Sequence, residues 1–258
     1  MATAPLVFIT GASSGIGQAL AARYAAAGWR LALLARRTPE MQVWATALGL
    51  KPERVAVYRA DVAVVDSIVA AGQACISAQG LPDVVVACAG ISVGMDTAVR
   101  ADLDVMAEVF ALNNVGLAAS FHPFLAGMRE RGSGTLVGVA SVAAVRGLPG
   151  HGAYSASKAG VAAYCESLRV ECCGSGVRVV TLVPGYVATP LTANNPYRMP
   201  FLMTPEDFAE RAFRAIQAGS SYAVIPWQMG VVAKVLRLLP NALYDRLMAR
   251  RGRKPRRS

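Results

Sequence analysis

Short apolar runs alternate with longer helix-like stretches through most of the chain, and this alternation constrains the fold more than any other feature. The apolar runs are continuous rather than polar at every second residue, which is typical of strands buried on both faces. Because a helix follows almost every strand, the pattern predicts an α/β fold, a doubly wound parallel sheet of about seven strands with helices on both faces. The predicted strands are Leu6–Thr10, Arg30–Ala35, Val55–Arg59, Val84–Cys88, Thr135–Ala140, Val177–Val183 and Tyr222–Pro226. Helices are predicted near residues 15–28, 39–48, 63–79, 101–130, 153–173 and 205–218.

The composition predicts one well-packed domain. Of the 258 residues, 54% are hydrophobic and 16% are charged, which excludes an intrinsically disordered protein. No repeat or linker divides the sequence, so we predict a single domain over residues 1–258. The first residues lack the basic segment of a secretion signal, and no apolar run is long enough to span a bilayer. The five cysteines show no metal-binding spacing, and we expect reduced thiols in a cytoplasmic protein.

Much of the net charge of +10 comes from residues 246–258, which contain seven Arg and Lys residues and no acidic residue. A basic tail, residues 252–258, could contact anionic lipid, nucleic acid or an acidic partner. The alternative is a solvated, disordered end. Because the basicity is confined to this tail, we do not expect nucleic-acid binding by the fold.

Residues 190–203 interrupt the strand–helix rhythm with three prolines, polar turn formers and apolar residues. Irregular apolar loops after a strand commonly cover a substrate, so we predict a substrate lid over residues 190–215. The alternative is an ordinary surface loop. A helix is expected to begin here, with Thr204 as its N-cap and Pro205 in its first turn.

A glycine-rich segment, Thr10–Gly17, joins the first predicted strand to the first predicted helix. Glycines at this point allow a tight turn and a close approach of the backbone to a pyrophosphate, whose charge the helix N-terminus stabilises. The spacing is Gly-x-x-x-Gly-x-Gly rather than Gly-x-Gly-x-x-Gly. The segment therefore predicts a Rossmann-like dinucleotide site.

Tyr154 and Lys158 stand four residues apart in a predicted helix and so project from one face. An ammonium stabilises a neighbouring phenolate, so Lys158 is expected to lower the pKa of Tyr154 from about 10. Such a tyrosine can exchange a proton with a substrate oxygen. Pairs at this spacing are also common on ordinary helix surfaces, so the pair becomes informative only beside the other motifs.

Six short motifs occur in order between residues 10 and 189. They are Thr10–Gly17, Cys88-Ala89-Gly90, Asn113, Ser141, the pair Tyr154 and Lys158, and Pro184-Gly185 followed by Thr189. Ser141 lies thirteen residues before Tyr154. This set resembles the classical short-chain dehydrogenase/reductase family, whose Asn-Ala-Gly element is replaced here by Cys88-Ala89-Gly90.

The resemblance implies a role for each catalytic residue. Tyr154 would exchange a proton with the substrate oxygen, Ser141 would hold that oxygen, and Lys158 would tune the tyrosine and bind the nicotinamide ribose. Asn113 would anchor a water that feeds a proton relay to Lys158, and Thr189 would bind the nicotinamide carboxamide. The predicted cofactor contacts are Gly11, Ser13, Ser14, Gly15, Ile16, Gly17, Arg36, Arg37, Asp61, Val62, Ala89, Gly90, Tyr154, Lys158, Pro184, Gly185, Val187 and Thr189.

The residues after the second strand predict the cofactor type. Family members that prefer NAD carry an acidic residue at this strand end, where the present chain has Ala35 followed by Arg36. A guanidinium binds a 2′-phosphate and an acid repels it, so NADP(H) is favoured over NAD(H). Arg37 is expected to support Arg36 or to be solvated. Asp61 is expected beside the adenine, with a helix N-cap as its alternative role.

The remaining reactive side chains receive structural interpretations. Cys88 is interpreted as a tolerated small residue rather than a redox site. His151 is expected near the mouth of the active site, and His122 in the core or an interface. The sequence contains no metal-binding constellation, and hydride transfer requires no metal.

A helical extension is predicted at residues 228–251, interrupted by Pro240. It could pack on its own chain, form a dimer contact, or lie on a membrane with the basic tail at the headgroups. The resemblance also implies a homodimer or homotetramer formed through helices 101–130 and 153–173.

We therefore predict an NADP(H)-dependent oxidoreductase that interconverts a hydrophobic or lipid-like ketone and its secondary alcohol, with Tyr154 as general acid and base. One alternative is a 3-oxoacyl carrier-protein reductase. Another is a non-catalytic nucleotide-sensing protein of the same fold.

Overall fold

A computed structural model describes residues 4–249 and 252–256. Within these residues the chain forms a seven-stranded parallel sheet with the strand order β3-β2-β1-β4-β5-β6-β7. The predicted doubly wound parallel sheet is confirmed. The strands are β1 (Leu6–Thr10), β2 (Arg30–Ala35), β3 (Val55–Arg59), β4 (Val84–Ala87), β5 (Gly134–Val139), β6 (Val177–Pro184) and β7 (Tyr222–Ile225). All seven predicted strands occur, with ends that differ by at most one residue.

Helices cover both faces of the sheet because consecutive residues of its strands point to opposite sides. Leu6 and Phe8 of β1 pack into one core, and Val7 and Ile9 pack into the other. The helices are α1 (Gly15–Ala26), α2 (Thr38–Ala47), α3 (Val65–Gln79), α4 (Arg100–Phe110), α5 (Gly116–Arg131), α6 (Gly152–Glu171), α7 (Pro205–Gln217), α8 (Trp227–Leu238) and α9 (Asn241–Met248). Helices α3, α5 and α6 cover the first face, and α1, α2 and α7 cover the second.

The helix predicted over residues 101–130 is divided in the structure. One π-helical turn, Ala111–Val115, separates α4 from α5, and it places Asn113 at the centre of the turn. The combined run Arg100–Arg131 is long and apolar enough, by length and composition alone, to cross a membrane. Half of its most apolar window is buried inside the protein, and Phe121 and Phe124 pack in the core beneath the sheet. It is therefore best described as a core helix.

The predicted lid contains two different kinds of structure. Residues 190–203 form an irregular connection after β6, whereas residues 205–215 lie in α7. Thr204 caps this helix by accepting a hydrogen bond from the Asp207 backbone N–H at 3.1 Å, as predicted. Phe208 and Ile216 of α7 are fully buried against the sheet. The helical part is thus a core element, so the prediction of a lid applies only to the irregular part.

The predicted extension packs on its own chain. It forms α8 and α9, and Pro240 lies between them as expected. Arg146, from the loop after β5, donates hydrogen bonds to Leu239 O at 2.8 Å and to Asn241 Oδ1 at 3.0 Å. The Arg146 guanidinium also lies 3.7 Å from the centre of the Tyr244 ring. These contacts fix both helices beside the loop that carries Ser141.

The basic segment, defined here as residues 252–256, is ordered against the body of the protein. The Gly94 backbone N–H donates to Pro255 O at 2.9 Å, and Gly94 pairs with Arg256 in an isolated parallel bridge. Lys254 is buried, with 9% of its surface exposed. The alternative of a disordered end is therefore wrong for these residues, although all of them except Lys254 are exposed. Residues 257 and 258 of the predicted tail lie outside the described residues.

Candidate active site

A cleft of about 310 Å³ opens at the carboxyl ends of the parallel strands. It lies where the chain leaves β1 in one direction toward β2 and in the other toward β4, the topological switch point at which this class of sheet binds ligands. Its volume falls within the range of small-molecule sites. The sequence-predicted residues that line it are Gly11, Ser13, Ser14, Gly15, Ile16, Gly17, Arg36, Arg37, Asp61, Val62, Ala89, Gly90, Ser141, Tyr154, Lys158, Pro184, Gly185, Val187 and Thr189. Asn113 is the one predicted site residue that does not line the cleft.

The glycine-rich turn after β1 leaves no room for side chains at two of its positions. A Cβ on Gly17 would lie 2.3 Å from the Gly11 carbonyl oxygen. Gly11 has a φ of +67°, and a Cβ there would lie 2.8 Å from Ala89 Cα. The backbone at the start of α1 is therefore bare, as the approach of a pyrophosphate requires.

Thr10 joins the two strand ends that flank the switch point. Its hydroxyl oxygen accepts hydrogen bonds from the backbone N–H groups of Cys88 at 3.1 Å and Ala89 at 3.2 Å. The Cys88 side chain cannot make the amide bonds of an asparagine, so Thr10 provides the polar link between β1 and the loop after β4. Sequence reasoning gave Thr10 no such role, because the bond joins residues 78 positions apart.

The end of the cleft near β2 and β3 carries the charged residues. Arg36 is exposed, and within the described residues it forms no ion pair. Arg37 is also exposed and pairs with Glu40 at 3.3 Å. Asp61 accepts a hydrogen bond from the Ala63 backbone N–H at 3.0 Å. The N-cap of α3 is Val64, so the alternative of a helix N-cap for Asp61 is wrong.

Tyr154, Ser141 and Lys158 meet on one wall of the cleft. Ser141 follows β5 and lines the cleft with Tyr154, and its hydroxyl accepts a hydrogen bond from the Ala143 backbone N–H at 3.2 Å. Lys158 is buried one turn further along α6 and donates from Nζ to Val139 O at 2.8 Å. The Lys158 Nζ lies 5.9 Å from the centre of the Tyr154 ring. A strand end and a single helix therefore assemble the three side chains.

Burial shifts the pKa values of these two groups in opposite directions. Loss of solvation raises the pKa of Tyr154 above its ordinary value, and the nearby Ser141 hydroxyl opposes this only in part. The same effect lowers the pKa of Lys158 to about 8. The expected lowering of the Tyr154 pKa is therefore wrong for the protein on its own, because the cost of burying a phenolate is the largest effect. At neutral pH Tyr154 is therefore uncharged, whereas Lys158 still carries most of its positive charge.

Asn113 lies behind the cleft and is completely buried. Its amide nitrogen donates to Ile91 O at 3.1 Å and to Ser157 Oγ at 2.9 Å. Its side-chain oxygen accepts from the Ile91 backbone N–H at 2.9 Å. Ser157 in turn donates to Tyr154 O at 2.9 Å. Asn113 thus ties the loop after β4 to the helix that carries Tyr154.

The other end of the cleft is formed by residues that sequence reasoning did not select as site residues. His151, which was expected at the mouth, lines it and contacts the Tyr197 hydroxyl through Nε2 at 2.9 Å. Tyr186 and Tyr197 approach with ring centres 6.5 Å apart. Lys254 of the basic segment also lines this end. For Tyr186 and Tyr197, only the aromatic and apolar character of residues 186–203 could have indicated a place in the site.

Comparison with known proteins identifies the fold family. The family model described as short chain dehydrogenase matches residues 5–199, three quarters of the chain. An uncharacterized oxidoreductase of Myxococcus xanthus is 40% identical over 240 residues, covering 92% of this chain and 93% of that protein. The chain belongs to the short-chain dehydrogenase family. It is therefore an NAD(P)-dependent dehydrogenase or reductase.

Two further similar proteins have names that mention a reaction or a cofactor. A sulfoacetaldehyde reductase of Chromohalobacter salexigens is 34% identical over 223 residues, covering 80% of this chain and 86% of that protein. An alcohol dehydrogenase of Thermococcus sibiricus, solved in complex with 5-hydroxy-NADP, is 26% identical with a TM-score of 0.75. The match covers 86% of this chain and 96% of the archaeal one. A nicotinamide cofactor is thus consistent with the bare glycine turn described above.

The other reactive side chains of this short-chain dehydrogenase have structural environments. Burial raises the pKa of the Cys88 thiol to about 12, so the thiolate needed for redox chemistry is disfavoured. His122 is exposed, so the core alternative is wrong, and a position in an interface stays a prediction. Among the described residues, no group of three or more His, Cys, Asp or Glu side chains could hold a metal ion.

Proposed function

We propose that this short-chain dehydrogenase interconverts a hydrophobic or lipid-like ketone and its secondary alcohol with NADP(H). The observation that carries the proposal is the meeting of Tyr154, Ser141 and Lys158 on one wall of the cleft, beside the bare backbone of the glycine turn. Apolar and aromatic residues dominate the far end of the cleft, including Leu148, Leu191 and Tyr186. A hydrophobic carbonyl compound fits this lining better than a small polar one.

The glycine turn, Asp61, Thr189 and Lys158 would hold the cofactor, which when bound supplies or accepts the hydride. Tyr154 keeps its proton at neutral pH because burial raises its pKa, so it is ready to donate that proton to a carbonyl oxygen. Ser141 would fix this oxygen within reach of the tyrosine. In the reverse direction Tyr154 must lose its proton, and the positive charge of Lys158 favours this loss.

Replacement of Tyr154 by Phe tests the proposed acid. We expect turnover to fall by about 1,000-fold or more, because the hydroxyl is the only part removed and general acids contribute roughly 100- to 10,000-fold. Binding of NADPH, measured by fluorescence titration, should change little. Tyr164→Phe is the matched control, since Tyr164 lies on the same helix outside the cleft lining. Turnover retained by Tyr154→Phe would contradict the proposal.

The preference for NADP(H) rests on Arg36 at the end of β2. Its exposed guanidinium has no ion-pair partner among the described residues, so it is available to a 2′-phosphate. We expect Arg36→Glu to raise the kcat/KM ratio of NADH over NADPH by at least about 100-fold, corresponding to roughly 2.7 kcal/mol. The neighbouring Arg37→Ala should have a much smaller effect because Arg37 pairs with Glu40. An unchanged preference in Arg36→Glu would overturn the assignment.

The substrate class is tested by comparing hydrophobic ketones, steroids and 3-oxoacyl thioesters as substrates with NADPH. Among these three classes, simple hydrophobic ketones should give the highest kcat/KM. A clear preference for 3-oxoacyl groups on a carrier protein would favour the alternative of a 3-oxoacyl carrier-protein reductase. The relative named sulfoacetaldehyde reductase supports a carbonyl substrate but does not select among these classes.

A homodimer or homotetramer is the proposed assembly. Helices α4 to α6 leave apolar side chains exposed, including Leu103, Tyr164 and Val170. Burial of these residues between two copies would remove apolar surface from water. Sedimentation-equilibrium measurements should give a mass at least twice that of one chain, and Val170→Asp should lower it.

We also propose a cytoplasmic location and a peripheral contact with a membrane. The described part of the basic tail makes protein contacts, so α8 is the better candidate surface. Trp227, Val231, Val235 and Leu238 form an exposed apolar stripe on this helix. Lys234 and Arg237 flank the stripe, and no acidic residue occurs in α8, a combination that suits anionic lipid. Binding to anionic vesicles should be lost in Leu238→Asp, and equal co-sedimentation of both proteins would exclude this contact.

A further inference from the structure

Lys254 brings a positive charge to the end of the cleft away from Arg36. Its ammonium donates hydrogen bonds to Leu191 O at 3.0 Å and to Asn195 Oδ1 at 2.8 Å, both in the irregular connection after β6. The residue is buried and lines the same cleft as Tyr154. A lysine that is buried without a carboxylate is unusual, because a buried charge normally requires a partner of opposite sign.

The basic segment is held in this position by contacts that leave little freedom. Arg256 pairs with the buried carboxylate of Asp102 through two hydrogen bonds, of 2.6 and 3.1 Å. A Cβ on Gly94 would lie 2.1 Å from Lys254 O, and one on Gly150 would lie 3.0 Å from Lys254 N. Two glycines and a buried acid thus make room for the segment and fix it. The position of Lys254 is therefore fixed by the surrounding structure.

Of the three basic side chains in the segment, Lys254 is the one that has no counter-ion among the described residues. Arg253 pairs with Asp96 at 3.5 Å, and Arg256 pairs with Asp102. Lys254 has two neutral oxygens as partners and three N–H donors, so one donor is uncommitted among the described residues. Asp61 is the only carboxylate among the residues that line the cleft, and it follows β3, at the opposite edge of the sheet from this end.

We propose that Lys254 is a substrate-binding residue that pairs with a carboxylate of the substrate, so that the preferred substrate is a hydrophobic oxo acid rather than a neutral ketone. This inference rests on the proposed function, since it assigns the second end of the same substrate. The carboxylate would accept a hydrogen bond from the uncommitted N–H of the ammonium and would provide the negative charge that pairs with it. The apolar residues between Lys254 and Tyr154 would contact the hydrocarbon part. Burial lowers the pKa of Lys254, and a bound anion would oppose this shift by favouring the charged form.

The test uses matched pairs of ligands that differ only in charge. The probes are 5-oxohexanoate, 7-oxooctanoate and 9-oxodecanoate, each compared with its methyl ester. Turnover is measured with NADPH, and binding is measured by calorimetry to the enzyme–NADP⁺ complex, in which no reduction can occur. Three chain lengths are needed because the carboxylate must reach Lys254 while the ketone reaches Tyr154. The wild-type protein should prefer the acid to the ester at one length or more.

Lys254→Met keeps the aliphatic stem and removes the charge. We expect it to weaken binding and kcat/KM for the preferred acid by about 10- to 100-fold, the usual effect of losing a hydrogen bond between charged groups. The ester should change by less than about two-fold, and Lys254→Arg should retain part of the preference for the acid. Arg253→Ala is the matched control, since it removes a neighbouring positive charge that is engaged with Asp96.

Three outcomes would overturn the proposal. The wild-type protein could show no preference for the acid at any length, or Lys254→Met could weaken acid and ester equally, which would indicate a structural role only. The variant could instead weaken NADP⁺ binding, which would assign the charge to a cofactor phosphate. Failure of the proposed function gives a different pattern, in which Lys254 still discriminates acid from ester in calorimetry but no ketone is reduced.

Discussion

The two ends of the cleft are built from different kinds of structure. The end near β1 and β2 consists of strand ends and the first turn of α1, where the fit depends on the absence of side chains at Gly11 and Gly17. The end near residues 186–203 is an irregular connection that meets the basic segment. There the fit depends on particular side-chain contacts, such as Lys254 with Leu191 and Arg256 with Asp102.

The two ends of the cleft therefore differ in how much their shape can change when the sequence changes. Strand ends in the middle of a parallel sheet are held by neighbours on both sides, so their geometry changes little with sequence outside the turn. An irregular segment held by a few polar contacts changes shape with single substitutions. The first end therefore suits a constant cofactor, and the second suits a substrate that varies between relatives.

Gly17→Ala should produce the largest effect, because it disturbs the rigid end directly. The added Cβ would meet the Gly11 carbonyl oxygen at 2.3 Å, and neither backbone can move far. We expect the free energy of unfolding to fall by about 3 kcal/mol and NADPH binding to weaken by about 100-fold or more, roughly 2.7 kcal/mol. Denaturant unfolding and fluorescence titration measure the two effects.

Gly147→Ala is the control for this substitution. Its Cβ would have no heavy atom within 4 Å, and its φ is not in the left-handed region. Both properties should stay near the wild-type values. A Gly17→Ala protein that binds NADPH normally would show that the glycine turn is not the rigid contact we describe.

The second prediction concerns the pH dependence of stability at Lys158, where the two ends meet. The pKa of Lys158 is about 8 in the folded protein and 10.5 in its unperturbed state, so the unfolded chain holds the proton more tightly. The free energy of unfolding should therefore rise between pH 8 and 10.5, by about 3 kcal/mol from this group. Below pH 8 both states are protonated and this dependence disappears.

Lys158→Met is the control, because every other group that titrates at alkaline pH is present in both proteins. The difference in unfolding free energy between wild type and variant should change by about 3 kcal/mol across this window. Urea denaturation at pH 7.5, 9 and 10.5 measures it. A constant difference would mean that Lys158 is not desolvated as its burial indicates.

The sequence was sufficient to predict the rigid end but not the adjustable one. The glycine turn, Ser141, Tyr154 and Lys158 lie in short motifs whose chemistry follows from local spacing, and the sheet follows from the apolar runs. The position of Lys254 depends instead on Arg256 meeting Asp102, 154 residues earlier in the chain. No local pattern encodes such a contact, and a run of basic residues normally indicates solvent. The pKa of Tyr154 was missed for a related reason, because its burial depends on the whole fold.

Arg256→Ala should affect only the adjustable end. The substitution leaves the buried Asp102 carboxylate without its partner and should loosen the basic segment. We expect hydrogen exchange of the Gly94 amide, which donates to Pro255 O, to accelerate by about 10-fold, while the amides of β1 are unchanged. Arg100→Ala, which removes an exposed pair with Asp104, is the control.

The same contact predicts a response to acid. Arg256 holds the pKa of Asp102 below its usual value, so the carboxylate stays charged and the contact persists through neutral pH. The contact should be lost only as the pH falls through this lowered pKa. Protection of the Gly94 amide that is equal in wild type and Arg256→Ala would show that other contacts hold the segment.

The smallest effect is expected at Cys88, which lies between the two ends. Its backbone N–H donates a hydrogen bond to the Thr10 hydroxyl. Burial raises the pKa of its thiol to about 12, so the side chain is uncharged at neutral pH. Cys88→Ser should change kcat/KM by less than about three-fold, the cost of roughly half a kcal/mol. Iodoacetamide at pH 8 should modify the exposed Cys173 well before Cys88, because the thiolate is the reacting form. Rapid modification of Cys88, detected by mass spectrometry, would instead reveal a reactive thiol at the switch point. The rigid end of the cleft would then not be chemically inert.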